Sequence, residues 1–167
     1  MIIGIDPGIH GAIAEMYANG NIIVWDMPIF SIKKGKKTHN FVDVVALADN
    51  LRINLKAIKH VYLEEINTVF PTQTGRKPSN ISLLYLGRNF GNVEGVLGAL
   101  RLPYSLLSPR KWKTYLSLGR DKNESLRRAT QLYPEAANQW PLKKHDGRAE
   151  AVLIAHAGQR MAVTSLF

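Results

Sequence analysis

The chain contains no cysteine, which excludes disulfide staples and thiolate metal centres and fits a reducing compartment. No apolar run approaches the roughly 18 residues that a membrane-spanning helix needs. The opening residues Met1-Ile2-Ile3-Gly4-Ile5-Asp6 carry no basic leader and no small-residue cleavage site, so no secretory signal is expected. Repeats, low-complexity tracts and linker-like stretches are missing too. Acidic residues are scarce: 13 Asp and Glu stand against 22 Lys and Arg, a net charge of +9. An excess of this size points to a polyanionic partner, most often nucleic acid, with an inert basic surface as the alternative.

What is present is the composition of an ordinary globule, 46% hydrophobic and 21% charged over 167 residues. That length suits one domain over residues 1–167, burying on the order of 70% of the unfolded chain's surface. Ile2, Ile3 and Ile5 before Asp6-Pro7-Gly8 read as a buried strand ending in a turn. Gly11 to Tyr17 and Ile22 to Trp25, joined by Asn19-Gly20, read as an antiparallel hairpin. Met27 to Asn40 has no periodicity and carries Lys33, Lys34, Lys36 and Lys37 around Gly35; it reads as an exposed, mobile basic loop.

Helical spacing follows at Phe41, Val44, Val45, Ala48, Leu51 and Leu55, and then a strand at Val61-Tyr62-Leu63. Phe70 to Asn80 is a loop rich in Pro, Gly and Thr. A long helix with Leu83, Leu86, Phe90, Val93, Leu97 and Leu100 in one stripe comes next. Pro103 to Leu107 reads as a strand, and helices follow from Pro109, from Asp121 to Tyr133, and from Gly147 to Ala157 with Gly158 as the stop. This order fits an α/β domain, a mixed sheet flanked by helices. Gly87, Gly91, Gly95 and Gly98 interrupt the second helix at about 1 kcal/mol each relative to Ala. Their recurrence predicts close backbone packing against the sheet or a second subunit, with a kinked helix as the alternative.

The few acids fall in telling places. Asp6 follows an apolar strand, where it is either a turn-capping residue or a ligand. Glu64 and Glu65 end the Val61–Leu63 strand and point to opposite faces, so only one can share Asp6's face, and spacing alone does not choose between them. Asp146 and Glu150 share a face of a helix that is otherwise apolar nearly all round. They are either an N-cap and a first-turn acid or a buried carboxylate pair that needs a partner or a metal. Carboxylates gathered at strand ends and a helix start are the hard-oxygen donors that Mg²⁺ prefers, and paired metals serve phosphoryl chemistry.

Ile3-Gly4-Ile5-Asp6-Pro7-Gly8-x-x-Gly11-Ala12, then Tyr62-Leu63-Glu64, then Asp146-x-x-Ala149-Glu150-Ala151-x-Leu153-Ile154-Ala155 resemble the RuvC-like Holliday-junction resolvases, phage-encoded ones especially. The resemblance runs from residue 1 to about 158. It implies a ribonuclease H-like fold and a homodimer that binds four-way DNA junctions. The implied reaction is a pair of symmetric nicks using Mg²⁺ or Mn²⁺, two ions per site, leaving 5′-phosphates and 3′-hydroxyls. The implied setting is a bacterial cytoplasm.

By that resemblance Asp6, Glu64, Asp146 and Glu150 are the catalytic and metal-binding set, and Glu64 is preferred to Glu65. Bacterial members usually have Asp where this chain has Glu150, and their last two acids stand three apart; here that position is Gly147, and His145 is a rival to Asp146. They also place a Phe three residues after the glutamate, where this chain has Asn67, and the nearest aromatic is Phe70. The family's late-helix lysine matches Lys122 only with a shift, which leaves Lys113 as the other candidate.

With Lys36, Lys37, Phe70, Arg76 and Lys77, these lysines make up the expected DNA-binding set. Such contacts position phosphates without reading sequence. An RNA-processing nuclease of the same fold and a non-catalytic junction-binding protein are the alternatives. An actin-like nucleotide-binding kinase would need two lobes, for which the chain is too short.

Overall fold

Ile2–Ile5 (β1), Ala12–Met16 (β2) and Ile22–Asp26 (β3) form an antiparallel meander. The computed structural model describes residues 1–35, 37–66, 79–119 and 121–164. Ile29–Lys34 (β4) and Lys37–Val42 (β5) pair as a separate two-stranded ribbon. Helix α1 (Val44–Ile53) leads to β6 (His60–Glu64), and α2 (Asn80–Ala99) leads to β7 (Tyr104–Leu107). The chain closes with α3 (Pro109–Tyr115), α4 (Lys122–Leu132) and α5 (Asp146–Thr164). The main sheet runs β3-β2-β1-β6-β7, with β6 parallel to both β1 and β7. This is the mixed, helix-flanked α/β sheet that the element order predicts, and the ribonuclease H-like fold that the resemblance implies. No helix among the described residues is long and apolar enough to cross a membrane.

Strand alternation divides the core in two. Ile3, Ile5, Ile13, Val61 and Leu63 face α1 and α2, meeting Leu47, Leu51, Val93 and Leu97. Ala12, Ala14 and Tyr62 face α5, meeting Val152, Leu153 and Ile154 together with Trp112 and Leu116 of α3. The even-numbered positions of β1 and β6 therefore point toward α5, and Gly4 pairs with Tyr62 in the parallel register.

Four sequence expectations are corrected. The segment 27–40 is not a loop for most of its length: β4 and β5 run through it, turning at Gly35 with φ +61°. Its periodicity is hidden because the ribbon packs one face on α2 rather than on the main sheet. Phe41 and Val42 end β5, and α1 begins only after Asp43, whose carboxylate accepts from the N–H groups of Val45 and Ala46. Its buried residues are Leu47 and Leu51, while Val45 is 66% exposed; the apolar stripe was shifted around the helix.

Gly158 does not stop the last helix, which continues to Thr164. It is required by a close approach instead, because a Cβ there would run into the ring of Tyr62 on β6. The glycines of α2 do not approach the sheet. A Cβ at Gly87, Gly91, Gly95 or Gly98 would meet nothing within 4 Å among the described residues, and the helix runs unbroken from Asn80 to Ala99.

Candidate active site

The parallel pairing of Ile5 with Leu63 brings the next residues, Asp6 and Glu64, to the carboxyl ends of neighbouring strands. Both lie on the even-numbered face, toward α5. Glu65 takes the opposite parity and is exposed, so the register selects Glu64. The Asp6 carboxylate is held in its turn by the Gly8 N–H, which donates to Oδ1 at 3.1 Å. Its other oxygen lies against the start of α5, where a Cβ on Gly147 would sit 3.2 Å from Oδ2. Glycine at 147 lets the helix close onto the Asp6 turn, since a Cβ there would run into the His10 carbonyl oxygen.

Glu64 is half-buried, and its Oε1 accepts a hydrogen bond from the indole Nε1 of Trp112 at 2.9 Å. Burial, then the nearby charges of Asp6 and Glu150, push its carboxyl up to about 8, while the Trp112 bond and Lys113 pull the other way. Three acids from β1, β6 and α5 thus share one electrostatic environment. Glu150, one turn into α5, is covered from the far side. Its Oε1 accepts from Lys113 Nζ at 2.9 Å and from Ser125 Oγ at 3.0 Å, and its side chain is 12% exposed. The Lys113 ammonium also lies 5.0 Å from the Trp112 ring centroid. The short helix α3 therefore delivers two consecutive residues to two different carboxylates.

Asp146 stands at the first position of α5 and is not among the charges that shift Glu64. His145 ends the preceding 3₁₀ turn, where its Nδ1 accepts from the Leu142 N–H at 3.4 Å. Its imidazole is held below the usual range by burial and by Arg148 and Lys144. The first turn of α5 is fixed by Arg148. Its guanidinium grips both oxygens of Asp26 at 2.6 Å and donates to the Gln139 carbonyl at 2.9 Å.

Lys113 lies within this group, whereas Lys37 lies on the β4–β5 ribbon. Lys122 opens α4, but its side chain is outside the described residues, as are Lys36, Phe70, Arg76 and Lys77. Trp112 and Ser125 were not singled out in the sequence. Trp112 is fully buried, and only its place beside Lys113 in a short amphipathic helix hinted at it.

Asp6, Glu64 and Glu150 offer hard oxygens, with Lys113 on Glu150, and carboxylate oxygens are the donor chemistry of Mg²⁺ or Mn²⁺. Among the described residues no three acidic or histidine side chains form a closed ligand group, and Lys113 rests on Glu150. The charge and donor types fit a divalent cation, with the carboxylates drawn near one another rather than converged on a point.

The fold is that of RuvC. A structure of Thermus thermophilus RuvC in complex with a Holliday-junction substrate superposes with a TM-score of 0.57 at 16% identity, over 98% of this chain and 95% of that one. A second T. thermophilus RuvC structure gives 0.54 at 17% identity, over 96% of each chain. No protein-family profile matches the sequence, and no curated protein matches it.

Proposed function

We propose that the protein is a structure-selective DNA endonuclease that resolves four-way or branched junctions by paired, metal-dependent nicks leaving 5′-phosphate and 3′-hydroxyl ends. The observation that carries this reading is the meeting of Asp6, Glu64 and Glu150, each from a different element, at the carboxyl ends of β1 and β6. They meet on a fold shared from end to end with a protein that binds a Holliday junction.

In this reading Asp6, Glu64 and Glu150 hold Mg²⁺ or Mn²⁺, two ions per site, with Asp146 as a further ligand. Bound metal supplies charge stabilisation at the phosphoryl group and a water activated near neutral pH. The chain's own groups set the frame. Asp6 is pinned by the Gly8 N–H, Glu64 is oriented through one oxygen by Trp112, and Lys113 offers a cation next to the carboxylates for the phosphate. Lys37, Lys36, Arg76, Lys77 and Lys122, with Phe70, complete the DNA-binding set of this reading. The net charge of +9 supports a large electrostatic share in binding and a steep loss of affinity with salt.

Paired nicks call for two active sites, and we place the second in a homodimer. The outward row Leu84, Gly87, Gly91, Gly95 and Gly98 on α2, with Ile81 and Leu84 more than 60% exposed, offers a surface that a second helix could approach closely. A non-catalytic junction-binding protein is the second reading, favoured by the Lys113–Glu150 ion pair, which already neutralises one of the acids.

A labelled immobile four-way junction and a matched linear duplex, each with Mg²⁺ and with EDTA, separate these readings. Symmetric, metal-dependent nicks in the junction alone are expected. Tight binding without cleavage would favour the binding protein, and equal cutting of both substrates would refute junction selectivity.

A further inference from the structure

The β4–β5 ribbon belongs to neither face of the main sheet, and its two faces differ in chemistry. Phe30, His39 and Phe41 share one face. The Phe30 and Phe41 rings are 5.7 Å apart, and Tyr85 of α2 meets His39 and Phe41 edge-on at 5.1 and 5.2 Å. The Arg88 guanidinium sits over Phe41 at 4.3 Å. This aromatic face fixes the ribbon to α2.

The other face is polar. Ser31 pairs with Asn40, its hydroxyl donating to Asn40 Oδ1 at 2.8 Å, and Lys33 pairs with Thr38 one step nearer the tip. Ser31, Lys33 and Thr38 are exposed. The turn itself reads Lys33-Lys34-Gly35-Lys36-Lys37, with no acid to balance it.

The root of the ribbon is tied by backbone hydrogen bonds to the segment that follows the Asp6 turn. The Met27 N–H donates to the Gly11 carbonyl at 3.0 Å, one residue from where Ala12 accepts from the Asp6 N–H, and the Asp43 N–H closes the base on the Pro28 carbonyl at 2.9 Å. Strands of six residues extend roughly 20 Å at about 3.3 Å per residue.

We infer that this ribbon is a DNA-arm reader: Lys33 and Lys37 near its tip bind backbone phosphates while the Ser31, Thr38 and Asn40 face lies along a groove of the duplex arm next to the cleavage site. The inference rests on the proposed nuclease reading and adds the element that sets where along an arm the nick falls. A two-stranded ribbon has the width of the major groove, and Asn and Lys carry the donors and acceptors that distinguish base edges there. At the root this face ends in Val42, which is buried in the core, while Ser31, Lys33 and Thr38 nearer the tip stay exposed.

The test uses the full chain with a fluorescent four-way junction in EDTA, so that binding is read without cleavage. In one variant Lys33–Thr38 is replaced by Asn-Gly; Ile32 and His39 face each other, which suits a two-residue turn. Lys33→Ala with Lys37→Ala serves as the milder second variant should the first fail to fold. Each lost phosphate contact should reduce the slope of log affinity against log salt by about 0.9, so a drop near 2 is expected for the double alanine variant, with binding weakened at least tenfold.

Ser31→Ala with Asn40→Ala should leave the salt slope in place and flatten the difference in affinity between junctions whose arms differ in sequence. Unchanged affinity and slope in the lysine variant would overturn the inference, as would unchanged sequence discrimination in the polar-face variant. Nicking of the junction by the wild-type protein with Mg²⁺ is scored separately. Loss of the nuclease reading shows as binding without nicks, and failure of this inference as nicks with a ribbon that contributes nothing to binding.

Discussion

Trp112 and Glu64, 48 residues apart in sequence, are joined by an indole-to-carboxylate hydrogen bond of 2.9 Å. The bond occupies Oε1 of Glu64 and sets the rotation of its carboxylate, so in the proposed metal site the second oxygen would face the cation. Outer partners of this kind typically change metal affinity or activity by about 10–100-fold. Trp112→Phe keeps an aromatic ring in the buried site and removes the donor. The concentration of Mn²⁺ giving half-maximal cleavage should rise about tenfold, with junction affinity in EDTA unchanged. A loss of activity that is equal at all metal concentrations would mean the indole serves packing alone.

The raised carboxyl of Glu64 couples protons to stability. Its folded value of about 8 lies above the ordinary 4.5, so between these values the folded protein binds more protons than the unfolded chain. The protonated site contributes stability that is present in full below about 4.5 and is lost as pH rises through about 8. Metal-free protein should therefore melt at lower temperature at pH 8 than at pH 6, and Glu64→Gln should flatten that trend. Metal uptake near pH 7 should release a proton, which calorimetry in buffers of different ionisation enthalpy can count.

Asp6→Asn, Glu64→Gln and Glu150→Gln should each reduce cleavage by at least about 10²–10³-fold, the scale of losing one preorganised electrostatic group. Junction binding should persist, because the proposed phosphate contacts come from other residues. Parallel loss of binding and cleavage would count against the assignment. Asp146→Asn should have the smallest effect of the four acids, since Asp6 and Glu150, but not Asp146, are the carboxylates whose charges raise Glu64.

Gly158→Leu should destabilise the fold by about 1–3 kcal/mol, the usual range for overpacking, because the new side chain displaces the Tyr62 ring between α5 and β6. Urea denaturation measures this directly. A neutral result would show that α5 can shift away from the sheet.

The homodimer is expected at micromolar concentration by light scattering. Gly91→Glu on the outward row of α2 should yield monomers that nick a junction on one strand at a time. A wild-type monomer that still makes symmetric nicks would remove the argument for this face.

The sequence by itself determined the pieces whose cause is local. The Ile2–Ile5 strand ends at Asp6 because Pro7-Gly8 breaks it. The α5 segment is buried because it is apolar nearly all round, and the order of elements left a mixed α/β sheet as the answer. Asp6 and Glu150 stood out because acids are rare at the ends of apolar elements, whereas Glu64 was preferred to Glu65 only by the family resemblance.

Tertiary structure decided what no local period contains. Glu64 rather than Glu65 follows from the register of β6 on β1, which puts the even positions of both strands on the face of α5. Gly158 marks a contact with Tyr62, not a helix end, since a close approach and a helix stop both ask for glycine. The lysine-rich segment 27–40 is mostly strand because its aromatic face packs on a helix more than 40 residues onward, a partner that neighbouring residues do not announce. Trp112 and Lys113 reach the carboxylates for the same reason. Local sequence records which residues avoid water, while long-range pairing decides which of them meet.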